Sequence, residues 1–263
     1  KKSKLITMKN SVIVVVCALV LVASSICSPA TSLTTHRLHV ARYADNPKLC
    51  EDCVDFAART ISELLQIIAD VGVAGGCQKV CGLLPNVVEQ DTCKVLCDLV
   101  GIDAFVKALK DAGFDSIYYC QLLRICPVDD CDGSQSHPCA SVQRVTSNPE
   151  KGLSGTLFNI TAFFTIDNTT GTGEILVVTT PPYKATPIES GEVLSDGFMP
   201  GTYQLNYVLD TSPTSTQPFS NGVYKIQVDL CEGMCYSQKP NSKLLATGNG
   251  NFIISNQNNN RRN

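Results

Sequence analysis

Fourteen cysteines are the residues of this chain with the clearest chemistry. Two lie in an apolar N-terminal stretch, and the other twelve, an even number, run from Cys50 to Cys235. Proteins of reducing compartments rarely carry so many thiols outside metal-binding motifs, so the count predicts disulfides formed in an oxidising compartment. Four of the thiols could instead hold zinc, but a Cys-x7-Cys spacing is unusual for a zinc finger. Disulfides are therefore favoured for Cys131, Cys139, Cys231 and Cys235.

The first eight of these cysteines lie in close pairs on predicted helices. Two cysteines four residues apart lie one turn apart on the same helix face. Two such pairs can join consecutive helices in nested order, and the outer pairs can close the two ends of the unit. Among the many pairings that eight cysteines allow, we therefore expect the bonds Cys50–Cys126, Cys53–Cys120, Cys77–Cys97 and Cys81–Cys93.

Residues suited to catalysis are few. The three histidines are His36, His39 and His137, so the second half lacks the base that Ser–His or metal-dependent hydrolysis requires. Residues 152–155 also lack the Gly-x-Ser-x-Gly spacing of a nucleophile elbow. The sequence therefore predicts that the protein is not an enzyme and has no cofactor or metal site. A net charge of −3 and a pI of about 5.6 argue against a nucleic-acid partner.

The N-terminal region is typical of a secretory signal peptide. Four lysines precede an uncharged apolar run, and small residues then allow cleavage after Ser25 or Ser32. We expect residues 1–32 to be removed, with residues 1–7 preceding a true start at Met8. The apolar run is shorter than the roughly 20 residues that span a bilayer, which favours a signal peptide over a membrane anchor. The predicted location is extracellular, with a lysosomal or endosomal lumen as the alternative.

Two Asn-x-Thr sequons agree with export. They are Asn159-Ile160-Thr161 and Asn168-Thr169-Thr170, and they predict N-glycosylation at Asn159 and Asn168. Both lie in the second half of the chain, which predicts one glycosylated face there.

Hydrophobic periodicity divides the chain into two parts. Apolar residues recur at three- and four-residue steps from Cys50 to Cys126, which predicts four or five short helices. From Thr156 the period changes to two, and at least five β-branched or aromatic runs predict an antiparallel sandwich. We expect a helical domain over 46–127, a cysteine-containing linker over 128–155, a β-rich domain over 156–255 and an Asn-rich disordered tail over 256–263.

The helical part resembles the saposin-like (saposin B-type) family. Cys-x2-Cys opens an amphipathic helix, a central cysteine pair follows, and Cys-x5-Cys closes the unit. Two cysteines, Cys77 and Cys97, depart from the family pattern and imply a subgroup with a fourth bridge. The six matching positions are Cys50, Cys53, Cys81, Cys93, Cys120 and Cys126.

A saposin-like domain before a glycosylated β-rich half is similar in organisation to the countin family of social amoebae. The resemblance implies an α+β two-domain fold, in which a disulfide-rich saposin-like helical bundle precedes an antiparallel β-sandwich-like domain. Countin-like proteins are secreted factors that regulate cell grouping or aggregate size. The partners implied are a lipid or membrane surface, a cell-surface receptor or other secreted subunits, and a second copy in a homodimer. The alternatives are a pore-forming or membrane-permeabilising effector, and an extracellular protein- or glycan-binding module with a structural helical domain.

The apolar stripe of the helices is either a lipid-facing surface or the core of a helical bundle, because periodicity is the same in both cases. The resemblance favours lipid contact, and the candidates are Phe56, Ile61, Leu64, Leu65, Ile68, Leu99, Phe105 and Val106. Eleven acidic and six basic residues lie from Cys50 to Cys126, a net charge of −5, so anionic headgroups repel this part at neutral pH. We expect membrane binding to strengthen below about pH 5, where carboxylates gain protons.

Overall fold

A computed structural model describes residues 47–129, 131, 139–183, 186–215 and 217–255 of the chain. All of them belong to one compact unit. The predicted signal peptide, residues 1–32, and the predicted Asn-rich tail, residues 256–263, lie outside the described residues.

The first part of the described chain is helical. Asn86 and Asp115 end the extended segments before two of the helices, and their side chains accept the backbone N–H groups of Val88 and Tyr118. Gly72 follows the longest helix with a positive φ of 68°, a conformation that glycine adopts without steric cost. The helices are α1 Pro47–Val71, α2 Gly76–Cys81, α3 Val87–Val100, α4 Ile102–Ala112 and α5 Ser116–Leu122.

The second part forms two sheets. One sheet has the strand order β1-β3-β6 and the other has the order β2-β8-β7-β4-β5. Neighbouring strands are antiparallel, except that β2 pairs with β8 in parallel. The strands are β1 Ala140–Asn148, β2 Lys151–Gly152, β3 Leu157–Ile166, β4 Gly173–Thr180, β5 Ile188–Leu194, β6 Gly201–Asp210, β7 Gly222–Glu232 and β8 Lys243–Ile254.

Each part has its own hydrophobic core. The helical core collects the inward faces of all five helices around Phe56, Leu64 and Phe105. The β core lies between the two sheets, where the Phe252 ring stacks 4.1 Å from the Phe158 ring and 4.9 Å from the Tyr224 ring. Alternating burial along β3 and β6 places one face of each strand in this core, as period-two patterning requires.

The expected fold class is wrong. The structure is mainly β, with 36% strand and 31% helix, and its sheets curl into a half-barrel instead of an antiparallel sandwich. The helices occur only in the N-terminal part and do not form a separate saposin-like bundle domain. The physical reason is that the helical and β parts share polar contacts, one of them to the buried Asp115 carboxylate, within one compact unit.

The predicted linker over 128–155 also contains regular structure. β1 and β2 lie inside this stretch, and β1 pairs along its length with β3. A bulge between Val142 and Arg144 interrupts the alternation of β1, which explains why its period-two pattern is hard to recognise in the sequence.

Candidate functional site

The structure places the predicted lipid-facing residues mainly inside the helical core. Six of the eight are buried, Leu65 is half-buried, and Leu99 is 61% exposed. In this conformation the inner apolar stripe therefore belongs to the hydrophobic core. Of the eight candidates, only Leu99 is accessible for contact with a partner. The buried six are Phe56, Ile61, Leu64, Ile68, Phe105 and Val106.

An exposed apolar row lies on the outer side of α3. Val88, Val95 and Leu99 are 71%, 60% and 61% exposed. Their spacing of i, i+7 and i+11 places them on one helical face. We call these three residues the α3 stripe. Leu83 and Val87, which are also exposed, extend apolar surface to the turn between α2 and α3.

The sequence singled out Leu99 of the α3 stripe but not Val88 or Val95, because α3 is apolar on two sides. Cys93, Leu96 and Cys97 on its inner side are buried in the helical core. A helix with two apolar faces buries only one of them in a single core, and that signal was available in the sequence. Exposed apolar side chains on one helix face make this a candidate interaction surface.

The flanks of the α3 stripe are mainly acidic. Glu89 lies 3.6 Å from Arg59 of α1, and Lys94 lies 3.2 Å from Asp91 one turn away. Asp98 is a further exposed acid on the helix. The flanks thus combine three carboxylates with one lysine of α3 and the Arg59 guanidinium of α1, and salt weakens such pairs near the surface.

The second notable region is the junction between the helices and the sheets. Asp115 caps α5 and is buried, and its carboxylate also accepts a hydrogen bond from the Ser237 hydroxyl at 2.5 Å. Asn241 donates to the Gln121 side chain at 3.1 Å. Lys239 donates to the Asp111 carbonyl at 2.5 Å. We call these three contacts the junction. Through them, residues 233–242, which connect β7 to β8, bind the α4–α5 region.

Two carboxylates of the β part hold the connecting segments at the junction. Glu232 is buried and accepts the backbone N–H groups of Gly171 at 2.8 Å, Asp129 at 3.0 Å and Cys131 at 3.2 Å. Such backbone donors compensate a carboxylate for lost water. A Cβ atom at Gly171 would lie 2.6 Å from a Glu232 carboxylate oxygen, so this approach requires glycine.

Glu174 on β4 accepts the Cys235 N–H at 2.8 Å. Burial raises the pKa of the Glu174 carboxyl, and the nearby charges of Asp115 and Glu189 add to this effect, whereas the Cys235 hydrogen bond opposes it. A hydrogen bond to the Asp229 carboxylate, with burial as the second cause, raises the pKa of Tyr236 to about 12.

Six disulfides occur among the described residues. In the helical part the structure pairs the eight cysteines in the nested order stated above. The other two bonds, Cys131–Cys139 and Cys231–Cys235, are local. Those four sulfurs are therefore bonded to one another and not arranged as zinc ligands. Within the described residues, no cluster of three or more metal-ligating side chains is found. The prediction that the protein is not an enzyme stays a prediction.

Both sequon asparagines are exposed. Asn159 lies on β3 and Asn168 in the connection between β3 and β4. Among the described helices, none is long and apolar enough to cross a membrane.

Comparisons with known proteins match both parts of the chain. Residues 48–124 match the model of the Countin N-terminal domain and residues 140–259 match that of the Countin C-terminal domain. Countin-1 of Dictyostelium discoideum is 33% identical over 212 residues, which cover 78% of this chain and 77% of the relative. Countin-2 of the same organism is 34% identical and covers 71% of each chain. Countin-3 is 31% identical and covers 82% of this chain and 94% of the relative.

Solved structures give no fold assignment. An alkylpurine DNA glycosylase of Pseudomonas fluorescens aligns at a TM-score of 0.33 and 12% identity, covering 80% of this chain and 52% of that chain. A putative late embryogenesis abundant protein aligns at a TM-score of 0.28 and 12% identity, covering 49% and 77%. Both scores are too low to support an argument from structure.

Proposed function

The chain belongs to the countin family, and from that premise we propose that it is a secreted signalling factor that regulates cell grouping or aggregate size. The observation that carries the proposal is the match of two countin domain models to residues 48–124 and 140–259. The family resemblance supplies the biological output, and the chemistry of the chain supports the export that such an output requires.

Disulfides are the main physical support for export. Six bonds use the twelve cysteines from Cys50 to Cys235, and disulfides persist in oxidising compartments outside the cytosol. Four of them join the helices of a part that has about 80 residues, a size at which a hydrophobic core alone gives little stability. The fold therefore depends on an environment in which these bonds form.

The test is to add the purified, oxidised protein to starving Dictyostelium discoideum cells and to measure the number of cells per group. We expect group size to change in proportion to the protein added. The matched control is the double variant Cys53→Ser and Cys120→Ser, which lacks a buried bond of the helical part and should have less activity. Unchanged group size over a wide concentration range, from protein with all six bonds verified by peptide mapping, would contradict the proposal.

A second candidate function is contact with a membrane surface through the α3 stripe. The supporting observation is that Val88, Val95 and Leu99 expose aliphatic surface on one helical face. Exposed aliphatic residues gain about 25 cal/mol for each Å² that they bury in a lipid interface. The acidic flanks oppose binding to anionic headgroups at neutral pH, so this contact should strengthen below about pH 5.

Vesicle flotation tests this second function. We expect the intact protein to float with vesicles of phosphatidylcholine and anionic phosphatidylserine more strongly at pH 4.5 than at pH 7 (both chosen around carboxyl pKa values). Val95→Asn with Leu99→Asn should remove most binding. Val223→Asn is the control, because Val223 is 51% exposed but lies on β7. Equal binding by the two variants would refute a role for the α3 stripe. Release of an encapsulated dye would instead favour the membrane-permeabilising alternative.

A further inference from the structure

Asn159 lies beside two exposed aliphatic side chains on the outer face of the three-stranded sheet. Leu157 precedes it by two residues on β3, so both side chains point to the same face. Val208 on β6 is its direct cross-strand partner. Leu157 is 59% exposed and Val208 is 52% exposed.

The rest of this face is mainly polar and internally hydrogen-bonded, and its half-buried Phe163 ring is covered by the Arg144 guanidinium. The Thr161 hydroxyl donates to the Asn206 side chain at 3.1 Å, and Gln204 donates to the same side chain at 2.9 Å. On this polar sheet, Leu157 and Val208 form an aliphatic patch next to the sequon asparagine. Contact between these aliphatic side chains and water is unfavourable, and covering the patch lowers the free energy of the folded state.

We propose that Asn159 carries an N-linked glycan whose first sugars lie across Leu157 and Val208 and stabilise the sheet. This inference rests on the export stated in the proposed function, because the sugar donor is available only to exported chains. Cross-strand neighbours on one face have Cβ atoms about 5 Å apart, so a sugar on Asn159 reaches Val208 directly. A pyranose ring exposes C–H groups on its faces, and these can cover aliphatic side chains.

The modification is a balanced group transfer. The side-chain nitrogen of Asn159 forms a bond to the anomeric carbon of the first N-acetylglucosamine of a lipid-diphosphate-linked oligosaccharide. The bond from that carbon to the diphosphate oxygen breaks, the lipid diphosphate leaves with the electron pair, and the amide nitrogen loses one proton. No oxidant or reductant is required.

The second sequon provides an internal comparison. Asn168 follows the far end of β3, roughly 30 Å of extended strand from Leu157. Thr170 of this sequon is buried, and its hydroxyl accepts the Phe198 N–H at 3.0 Å and donates to the Gly171 carbonyl at 3.1 Å. A glycan at Asn168 would therefore not reach the aliphatic patch, whether or not the site is used.

The experiment expresses the full chain in eukaryotic cells and examines protein recovered from the medium. Peptide mass spectrometry before and after treatment with peptide N-glycosidase should find Asn159 occupied. The variant Asn159→Gln should melt about 2–4 °C lower than the glycosylated protein, whereas Asn168→Gln should melt within about 1 °C of it. Removal of the whole glycan from the folded protein by peptide N-glycosidase, which leaves Asp at position 159, should lower the melting temperature by a similar amount, so that two different replacement residues give the same loss.

Measuring the effect of Asn159→Gln in two further variants tests the contact between the glycan and the patch. In the variant Leu157→Ala with Val208→Ala, the effect of Asn159→Gln should fall below about 1 °C, whereas in Val223→Ala it should remain at about 2–4 °C. Secreted protein with Asn159 unoccupied, or an equal effect in both backgrounds, would overturn the inference and leave the proposed function untouched. Protein that stays in the cytosol would instead overturn the export on which both rest.

Discussion

The helical part and the β part of this chain keep their shape by different means. In the helical part, four disulfides cross-link the chain over sequence separations of 76, 67, 20 and 12 residues. In the β part, the Cys231–Cys235 bond closes only four residues, and the sheets rest on long strand pairings around a core of stacked aromatic rings. The helical part is thus held mainly by covalent cross-links, and the β part is held mainly by strand hydrogen bonds and core packing.

This difference helps to explain which kinds of side chain each part exposes for contact with partners. Covalent links let the small helical part leave an apolar row exposed on α3, because its stability does not depend on covering every apolar residue. The β part exposes mainly polar side chains on its three-stranded sheet, with the patch next to Asn159 as a local exception. The candidate contact surface is therefore an apolar helix face in the helical part and a mainly polar sheet face in the β part.

The largest expected effect comes from removing both long-range disulfides together, because either bond alone keeps most of the segment between them closed. Replacement of Cys50, Cys53, Cys120 and Cys126 by Ala opens segments of 76 and 67 residues and should cost at least about 4 kcal/mol of unfolding free energy by loop-closure entropy. Cys231→Ala with Cys235→Ala opens a segment of four residues and should cost about 2 kcal/mol. Urea unfolding followed by circular dichroism measures both. Equal losses would show that the helical part does not depend more on its cross-links.

A smaller effect is expected at the junction. Asp115→Ala removes both the cap of α5 and the acceptor for the Ser237 hydroxyl, and it should destabilise the protein by about 1–2 kcal/mol. Asp111→Ala is a suitable control, because Lys239 contacts the backbone carbonyl of Asp111 and this acceptor remains. A loss with Asp115→Ala no larger than with the control, in thermal unfolding, would argue against the junction.

Glu174→Gln tests the charge at the junction. Burial raises the pKa of Glu174 in the folded state, so the folded protein binds this proton more tightly than the unfolded chain and pays for the charge at neutral pH. That cost disappears as the pH falls through the folded-state pKa. Gln keeps an acceptor for the Cys235 N–H, so the variant should be more stable than the wild type at pH 7. The difference should vanish below about pH 4. A variant that is less stable at pH 7 would contradict this account.

The smallest effect on stability is expected at the α3 stripe. Val95→Asn with Leu99→Asn should change the unfolding free energy by no more than about 0.5 kcal/mol per site, because both side chains are already exposed. Leu96→Ala on the buried side of the same helix should cost about 2–5 kcal/mol. Chemical denaturation of the three proteins separates the two faces. A large loss from the outer pair would mean that these residues are covered in solution.

The sequence predicted local features well and tertiary relations poorly. Helical periodicity is local, and the nested cysteine order follows from pairs one turn apart. Which face of a helix is covered depends on its neighbours, so Phe56 and Leu64 were expected to face lipid but are core. β1 was missed because its bulge breaks the alternation. The contact of Asp115 with Ser237 spans 122 residues and leaves no periodic trace in either segment.

The central structural claim is that the helical and β parts fold as one unit, so that function belongs to the whole chain. Differential scanning calorimetry of the oxidised protein tests it directly. The account predicts one transition whose calorimetric enthalpy equals its van't Hoff enthalpy. Two separable transitions, with Asp115→Ala leaving both unchanged, would contradict it.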